Sequence, residues 1–395
     1  MAAAYLVASL RANSTTAGIA FDRKIILIGE EPFACYNRIL LSSVLAQRAE
    51  LGDLEMIEEG ADLDVRTGSR VAQIDASDCQ VCLESGERIA YGDLVLATGS
   101  SVAMPIQDAD SVKGVLGFRT LEDLRELQIS ARTSERAIVV GAGLLGLEAA
   151  WGLVGLGVEV TVVHRQQHIL NRQLDADAAA VLQTRFEKEG VQFQLGSGLD
   201  EVLVNEGHVA GIATRDGSQI DGDLLVIATG IRPNVGLAVE AGLEVDRGIL
   251  VNGWLATSRP HIYALGECIQ AGADTFGHVA PIREQADILG RRLLDIDTNP
   301  FLVSAYPTQL KISGLDVFSA GDLDECAETI TLASSSQQIY RRLFIRENQL
   351  VGAILLGSRR NANMLVDLIR EGVDIRRFRN QLAFGALTPG IIAGL

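Results

Sequence analysis

The segment from Arg136 to Ala150 constrains the fold of this chain more than any other. An apolar, β-branched strand is followed by Gly141-Ala-Gly143-Leu-Leu-Gly146 and by an apolar helical run, and a second strand follows at Val158 to Val163. A strand, a G-x-G-x-x-G loop, a helix and a second strand form the βαβ unit that binds dinucleotides. The three glycines permit the tight turn, the close approach of a pyrophosphate, and the packing of helix on strand. We therefore predict a nucleotide site here.

The chain also contains two related halves. Asp93-Leu-Val-Leu-Ala-Thr-Gly99 and Asp223-Leu-Leu-Val-Ile-Ala-Thr-Gly230 are nearly the same sequence, which indicates an internal repeat. Aligning the halves pairs Val158 to Val163 with Lys24 to Gly29, and pairs the helix after Gly143 with the residues that begin at Met1. The sequence therefore predicts a first nucleotide fold without its opening strand and Gly-x-Gly turn, which a misplaced start codon would explain better than a natural loss.

That arrangement has two expected consequences. The opening strand of such a sheet is normally central and buried on both faces. Without it, we expect unpaired backbone groups on the neighbouring strands and an exposed apolar face on the first helix.

Glu30 ends the strand Lys24 to Gly29, where a nucleotide fold places the acid that holds a ribose. Alternatively, Glu30 is a solvated loop residue beside Glu31.

Composition excludes several classes of protein. The 34 Lys and Arg against 51 Asp and Glu give a formal charge of −17, which disfavours a nucleic-acid partner. The most apolar stretch is interrupted by Glu148 and Glu159, so no membrane span is predicted. No signal peptide is recognisable, and the expected location is the cytoplasm. The five scattered cysteines favour reduced thiols. Cys79 and Cys82 lie in a predicted hairpin without a second cysteine pair, so no metal site is expected.

The ordered set of motifs resembles the FAD-dependent pyridine nucleotide reductase family. Tyr36-Asn-Arg38-Ile-Leu-Leu-Ser42-Ser43, Gly143-Leu-Leu-Gly-Leu-Glu-Ala-Ala150 and Leu310-Lys-Ile-Ser-Gly-Leu-Asp-Val-Phe-Ser-Ala-Gly321 look like the reductase portion of assimilatory NAD(P)H nitrite reductases. Rubredoxin and ferredoxin reductases are the neighbouring branch. Those relatives usually have Lys where this chain has Ser43, which favours the nitrite-reductase type. The resemblance implies an α/β fold with two Rossmann-like domains, for FAD and NAD(P), and a C-terminal α+β domain.

The resemblance also implies the cofactor-binding residues. For FAD these are the ribose ligand Glu30, with Arg38, Thr98, Gly99, Gly266, Glu267 and Ala280 along the rest of the cofactor. Glu267 stands where most members have Asp. For the nicotinamide dinucleotide they are Gly141, Gly143, Gly146, Glu148 and Gly230.

The sequence leaves the choice between NADH and NADPH open, and it departs from the family in its cysteines. The strand of the second fold ends in His164-Arg165 rather than in the expected acid. Arg165 is either a ligand of a 2′-phosphate or a solvated charge, so the sequence does not decide between NADH and NADPH. Dithiol members carry two cysteines beside the flavin, whereas this chain has only Cys35 there. A disulfide relay is not expected, and no catalytic residue is assigned.

The predicted function is electron transfer from NAD(P)H through FAD to a separate acceptor in nitrate or nitrite assimilation. The acceptor would be an iron-sulfur or sirohaem protein. The alternatives are a rubredoxin or ferredoxin reductase, with a rubredoxin-like carrier, or a flavin-free nucleotide-binding protein. Residues 337–380 contain nine arginines and four acids. Arg376, Arg377 and Arg379 would either dock an acidic acceptor or form a solvated face. A homo-oligomer is possible.

The expected domain boundaries follow from the resemblance. Residues 1–115 and 238–305 would form the FAD domain, residues 116–237 the NAD(P) domain, and residues 306–395 the C-terminal domain.

Overall fold

The computed structural model describes residues 1–19, 22–57, 60, 62–303, 306–312, 315–324, 327–334 and 339–385. Cys326 and the Ser313-Gly314 part of the motif at Leu310 lie outside these residues, as does the end of the predicted C-terminal domain. The α-helices of the described part are α1 (Ala2–Ala17), α2 (Leu41–Leu45), α3 (Leu121–Ser130), α4 (Leu144–Gly155), α5 (Ala176–Lys188), α6 (Gly236–Glu240), α7 (Val279–Leu293), α8 (Ala362–Glu371) and α9 (Arg379–Ala383).

The strands are short and distributed along the whole described chain. They are β1 (Ile25–Ile28), β2 (Leu63–Arg66), β3 (Val71–Asp75), β4 (Gln80–Leu83), β5 (Arg88–Ala90), β6 (Leu94–Leu96), β7 (Ser100–Val102), β8 (Val115–Gly117), β9 (Arg136–Val140), β10 (Glu159–His164), β11 (Val191–Leu195), β12 (Leu199–Asn205), β13 (His208–Thr214), β14 (Gln219–Asp221), β15 (Leu224–Ile227), β16 (Ile231–Pro233), β17 (Ile249–Val251), β18 (Ile262–Ala264), β19 (Ile269–Ala271), β20 (Asp274–Thr275), β21 (Thr308–Ile312), β22 (Leu315–Gly321), β23 (Glu328–Ser334), β24 (Ile339–Arg346) and β25 (Gln349–Leu356).

The chain divides into two compact units, each built from separated segments. Unit 1 comprises residues 1–44, 48–102 and 231–303, and unit 2 comprises residues 45–47, 103–230 and 304–395. Each unit contains one nucleotide fold. The finer division into four segments remains a prediction.

The nucleotide fold of unit 2 is a five-stranded parallel sheet in the order β11-β10-β9-β15-β8. Its central strand β9 is hydrogen-bonded to a strand on each side. Ile138 and Val139 of β9 are fully buried, as are all four residues of β15. Near-continuous apolar sequence is what a parallel strand covered on both faces requires. The uninterrupted run Ala137 to Val140 therefore fits this central position.

The nucleotide fold of unit 1 has two separate pairs of parallel strands, β2-β1 and β6-β18. Its four apolar residues from Ile25 to Ile28 are only half-buried, although β1 corresponds to the well-buried β10 of unit 2. In the described residues neither β1 nor β6 pairs with a further strand. This agrees with the expected unpaired backbone on the strands that flank the opening position.

The expectation of an exposed apolar face on α1 is wrong. Leu6, Val7 and Leu10 are each at most 6% exposed. The helix packs against α7, where Asn13 Nδ2 donates to Asp287 Oδ1 at 2.9 Å and Gly290 lies beside Ser9. The side of α1 that carries Ser9 and Asn13 is thus covered by helix-on-helix packing.

The C-terminal part of unit 2 is an antiparallel sheet in the order β21-β22-β25-β24-β23, with α8 packed on it. Leu365 and Leu368 of α8 and Phe318 and Leu343 of the sheet are fully buried together. Tyr340 of β24 donates its hydroxyl hydrogen to Asp175 Oδ2 at 2.9 Å. Because Asp175 is also the N-cap of α5, this sheet supports the start of a helix of the nucleotide fold.

Candidate functional site: two nucleotide-binding folds

The glycine loop of unit 2 has the geometry that the sequence pattern requires. Gly141 has a φ of +117°, a backbone conformation that residues with a Cβ rarely adopt. Its amide donates to Val163 O at 2.8 Å. A Cβ on Gly146 would overlap the carbonyl oxygen of Gly141, and it would lie 3.2 Å from Ala228 Cβ. The loop, the start of α4 and the end of β15 therefore approach more closely than a Cβ would allow. Glycine at positions 141 and 146 permits these contacts.

The N-terminus of α4 has the features of an anion site. Gly143 is its N-cap and supplies no side-chain acceptor, and the first turn contains no acidic residue. The first amides of a helix lack intrahelical acceptors and carry a partial positive charge. A Cβ on Gly143 would meet nothing within 4 Å, so the approach to these amides is open. The residues present fit a bound pyrophosphate.

His164 supports this loop from β10. Its Nδ1 accepts a hydrogen bond from the Ala142 amide at 3.3 Å, and its Nε2 lies 3.1 Å from Asn171 Oδ1. Burial lowers the pKa of His164, which favours the neutral ring that acceptance at Nδ1 needs. The tautomer that satisfies both contacts carries its proton on Nε2. In the sequence, His164 stands out only as the residue in place of the expected acid, and its supporting role depends on the tertiary structure.

The other predicted residues of unit 2 lie around this loop. Arg165 follows β10 and is exposed, and Glu148 lies half-buried in α4. Gly230 has a φ of +127°, and its carbonyl accepts from the Ala103 amide at 3.0 Å. The conformations of Gly141 and Gly230 explain why both strands end in glycine.

In unit 1, the two acidic residues after β1 have different environments. Glu30 is two-thirds exposed and lies 3.8 Å from Nε of Arg70, another exposed side chain. Glu31 forms an ion pair with Arg38 and accepts a hydrogen bond from the Tyr36 hydroxyl at 2.7 Å. Arg38 also lies over the Tyr36 ring, 5.6 Å from its centroid. Glu30 and Arg38 are expected from the sequence, whereas Glu31 is not, although the adjacent Glu-Glu pair was an available signal.

Thr98 and Gly99 are fixed by a residue that sequence reasoning missed. Asn234 donates its Nδ2 hydrogen to Thr98 O at 2.9 Å, and its own carbonyl accepts from Thr98 Oγ1 at 2.6 Å. The Asn234 amide donates to Gly99 O at 2.9 Å. A Cβ on Gly99 would lie 3.9 Å from Arg38 Nη1, so the structure brings these two predicted residues together. The position of Asn234 shortly after the second Ala-Thr-Gly was the only sequence signal.

Gly266 and Glu267 follow β18 and are held by buried polar groups. The Gly266 amide donates to Gln285 Oε1 at 2.8 Å, and Ser100 donates to Glu267 Oε2 at 2.9 Å. Gln285 is fully buried, and its Nε2 has no hydrogen-bond partner within the described residues. An orphaned buried donor needs an acceptor, which fits a polar ligand near Gly266. Ala280 lies in the first turn of α7 and is exposed.

A cleft of about 1390 Å³ lies within unit 1. Glu30, Arg38 and Thr98 contribute to its lining, together with β1, β6 and part of α1. Gly99, Gly266, Glu267 and Ala280 do not line it. A volume of this size is sufficient for a large cofactor, and the mixture of apolar walls with a few charged groups fits FAD.

Other site chemistries have little support in the described residues. No group of three or more His, Cys, Asp or Glu residues in this part could hold a metal ion. The cysteines described are Cys35, Cys79, Cys82 and Cys268, all as free thiols. Within the same ranges, no helix has the length and apolar character needed to cross a membrane.

Comparison with known proteins agrees with these two nucleotide folds. Residues 6–286 match the family model described as pyridine nucleotide-disulphide oxidoreductase, and residues 307–373 match the rubredoxin NAD+ reductase C-terminal domain. The chain is 39% identical over 377 residues to a nitrite reductase [NAD(P)H] of Bacillus subtilis, covering 93% of this chain and 47% of that protein. It is 40% identical over 367 residues to the assimilatory nitrate reductase electron transfer subunit of the same organism, covering 91% and 47%.

The chain therefore spans about half the length of these curated relatives. Among solved structures, a ferredoxin reductase from Rhodopseudomonas palustris superposes with a TM-score of 0.84 at 24% identity, covering 97% of each chain. That likeness concerns the fold.

Proposed function

Because the chain belongs to the pyridine nucleotide-disulphide oxidoreductase family, we propose that it is an FAD-dependent NAD(P)H oxidoreductase that passes electrons to a separate acceptor. One observation carries this proposal. The chain contains two nucleotide folds, of which one has a glycine loop at a helix N-terminus and the other a cleft lined by Glu30 and Arg38. Two such folds are what a protein needs to bind two dinucleotides.

In this proposal the residues of each unit bind and orient one cofactor. Glu30 would hold the FAD ribose, and Arg38, held in place by Glu31, would lie along the cofactor. The open amides at the start of α4 would bind the pyrophosphate of NAD(P)H. When bound, FAD supplies the capacity to accept a hydride from the nicotinamide and to release electrons one at a time. No general acid or nucleophile of the protein is required.

The finer proposal is the reductase component of nitrate or nitrite assimilation, acting in the cytoplasm. The names of the two Bacillus subtilis relatives support it, as does Ser43 in the Leu-Ser-Ser sequence. The acceptor would be an iron-sulfur or sirohaem protein. The second candidate is a rubredoxin or ferredoxin reductase, which the match of residues 307–373 favours. Steady-state reduction of each acceptor class by the same preparation would discriminate between these functions.

The arginines proposed for docking differ in their surroundings. Arg376 pairs with Asp374 at 2.6 Å, and Arg379 pairs with Glu328. Arg377 is exposed. Because neighbouring carboxylates partly cancel the field of Arg376 and Arg379, we expect Arg377 to contribute most to steering an acidic acceptor. Arg377→Glu should slow acceptor reduction at low salt, whereas flavin reduction should be unchanged. The control is Arg370→Glu on α8, and equal slowing by both changes would reject a specific dock.

The test of the main proposal is the visible spectrum of the purified chain after addition of FAD. It is recorded before and after anaerobic addition of NADH or NADPH. Flavin that stays bound and is bleached by either nucleotide supports the oxidoreductase. Failure to retain FAD, with NAD(P)H still bound at α4, would instead support the flavin-free nucleotide-binding alternative. The ratio of bleaching rates decides the nicotinamide preference, and Arg165→Ala should lower the NADPH rate if this residue binds a 2′-phosphate.

A further inference from the structure

We propose that His164 is a positioning residue of the glycine loop in unit 2. Together with Leu170 it holds Ala142, so that the Gly143 amide faces a bound dinucleotide, and protonation of the His164 ring weakens that binding. This inference rests on the proposed function, because it concerns how the loop binds NAD(P)H. It gives His164 a role different from that of the ribose-binding acid whose place it takes.

Ala142, the residue between the first two glycines of the loop, is held at both of its backbone groups. Its amide donates to His164 Nδ1 at 3.3 Å, and its carbonyl accepts from the Leu170 amide at 2.9 Å. We call these two hydrogen bonds the Ala142 clamp. Ala142 is fully buried, and buried backbone groups need partners. Because one partner is a side chain, the loop conformation depends on the chemistry of that side chain.

The Ala142 clamp fixes the direction of the Gly143 amide. The carbonyl and the amide of a planar trans peptide point in opposite directions, and the carbonyl of the Ala142–Gly143 peptide points to Leu170. The Gly143 amide therefore points away from Leu170. It has no acceptor among the described residues, and a Cβ on Gly143 would meet nothing within 4 Å. The clamp thus directs a loop amide to the open side, where a phosphate oxygen can accept its hydrogen.

The Leu170 side of the Ala142 clamp is a turn with an unusual backbone conformation. Leu170 has a φ of +48°, which a residue with a Cβ adopts at a cost. Leu170 and Ile169 are at most 1% exposed, so packing holds the turn in place. Strained conformations of this kind cluster at functional sites. The same turn supplies Asn171, whose Oδ1 lies 3.1 Å from His164 Nε2, so the two sides of the clamp are joined.

Both nitrogen atoms of the His164 ring are occupied by these contacts. Nδ1 accepts from Ala142, and Nε2 donates to Asn171. No ring nitrogen is left for a ribose hydroxyl, which is the ligand of the acid that usually ends this strand. Loss of His164 should therefore weaken binding of NADH and NADPH by the same factor, whereas loss of a ribose ligand would change their ratio.

The charged groups that act on the His164 ring are few. Arg165 and His168 lie close enough to affect it. The strand β11 contains no titratable residue, and the titratable residues of β10, β9 and α4, which pack together, are Glu159, Arg136 and Glu148. Burial, with a smaller effect of Arg165 and His168, lowers the pKa of His164. The ring is therefore neutral near pH 7, and the Ala142 clamp is closed.

Protonation would open the Ala142 clamp. A protonated ring carries a hydrogen on both nitrogens, so Nδ1 would face the Ala142 amide as one donor against another. The loop would then lose the support that directs the Gly143 amide. Dinucleotide affinity should therefore decrease as the pH falls through the pKa of His164.

The experiment titrates ADP-ribose, with and without a 2′-phosphate, into the FAD-supplemented chain and follows the NMR signal of the Gly143 amide. This signal reports binding at the loop of unit 2 alone, and the probe has no nicotinamide, so no flavin reduction is involved. Affinity is measured from about pH 5 to about pH 7.5, on both sides of the pKa of His164. For the parent chain we expect a decrease of at least about fivefold at the acidic end.

Two variants of His164 separate acceptance at Nδ1 from packing. His164→Leu removes the acceptor and should bind both probes about tenfold more weakly at about pH 7.5, with no further decrease on acidification. His164→Asn retains an acceptor oxygen that does not titrate. It should bind like the parent at about pH 7.5 and keep that affinity at about pH 5. If His164→Leu does not fold, the comparison of His164→Asn with the parent carries the test.

The matched control is His168→Asn. The His168 ring lies 3.0 Å from Ile169 O rather than against the loop, so this variant should keep the pH dependence of the parent. Parent affinity that does not change with pH, a His164→Asn profile that titrates like the parent, or a changed ratio of the two probes in His164→Leu would overturn the inference and leave the proposed function standing. A parent chain in which neither probe moves the Gly143 signal would instead overturn the nucleotide site, and the proposed function with it.

Discussion

The two nucleotide folds share an internal repeat and differ in their centres. In unit 2, β9 joins β10 and β15 into one sheet of five strands, and Ile138 is fully buried. In unit 1, the corresponding strands form two pairs that border a cleft, and Ile26 is half-buried. Strands of similar apolar sequence are thus buried to different extents, because a parallel strand is fully buried only when it has neighbours on both edges. Unit 2 should therefore be the more stable nucleotide fold.

The strongest test of this comparison truncates one strand isoleucine in each fold, Ile138 in the central strand of unit 2 and Ile26 in β1 of unit 1. Ile138→Ala should lower the free energy of unfolding of unit 2 by about 2–5 kcal/mol, because it leaves a cavity in a packed core. Ile26→Ala should cost unit 1 about 1 kcal/mol, since less of its side chain is removed from water. Urea unfolding measures both values.

Each unit contains one tryptophan that can report on it. Trp151 lies in α4 of unit 2, with its ring centroid 5.9 Å from that of Phe186, and Trp254 lies in unit 1. Fluorescence of Trp254→Phe and Trp151→Phe backgrounds therefore follows unit 2 and unit 1 separately. If both truncations lower the free energy of unfolding equally, β1 is packed as tightly as the central strand β9, which would contradict the comparison.

The glycine loop of unit 2 offers the next largest effect. Gly146→Val should destabilise unit 2 by about 1–3 kcal/mol, because the new side chain overlaps Gly141 and forces the helix from the strand. It should also abolish NAD(P)H binding, measured by titration calorimetry. Gly155→Ala is the matched control at the end of the same helix, where a Cβ meets nothing within 4 Å. Retained binding in Gly146→Val would refute the loop as the nucleotide site.

A pH dependence tests the additional support that unit 2 receives from the C-terminal sheet. Burial raises the pKa of Tyr340 to about 12, so the folded state retains this proton more strongly than the unfolded state. The resulting stability is present below about pH 10 and is lost as the pH rises through about 12. The expected loss is about 3 kcal/mol. Tyr340→Phe should be less stable than the parent at pH 8, and the difference should shrink toward pH 12 in urea titrations followed by Trp151. A constant difference would contradict the assignment.

The smallest expected change in stability concerns the strand end of unit 1. Glu30→Gln should alter the free energy of unfolding by less than about 0.5 kcal/mol, because the pair with Arg70 is exposed. The same change should weaken FAD binding about tenfold if Glu30 holds the ribose. Glu84→Gln is the control, since Glu84 pairs with the same Arg70 at 3.5 Å. Similar FAD affinities for both variants would favour the alternative that Glu30 is a solvated loop residue.

The sequence by itself determined the family, which the match of residues 6–286 confirms, and the positions of the glycine loops. A G-x-G-x-x-G loop can be read from sequence because its function depends on backbone conformation at fixed spacing, as with Gly141 and Gly146. The repeat around Ala-Thr-Gly likewise located both strand ends. The fold class is confirmed by the agreement between the described sheets and the solved reductases.

Only the tertiary structure decided which side chains support those loops. Asn234 forms a hydrogen bond with Thr98. Arg38 pairs with Glu31 rather than with Glu30. Gln285 accepts a hydrogen bond from the amide of Gly266. These pairs join residues far apart in the chain or depend on the direction of adjacent side chains, and no local pattern encodes either. The burial of Leu6, Val7 and Leu10 on α1 was missed for the same reason, because burial depends on neighbours in the tertiary structure. The contacts of this helix include α7, which lies more than 260 residues away in the sequence.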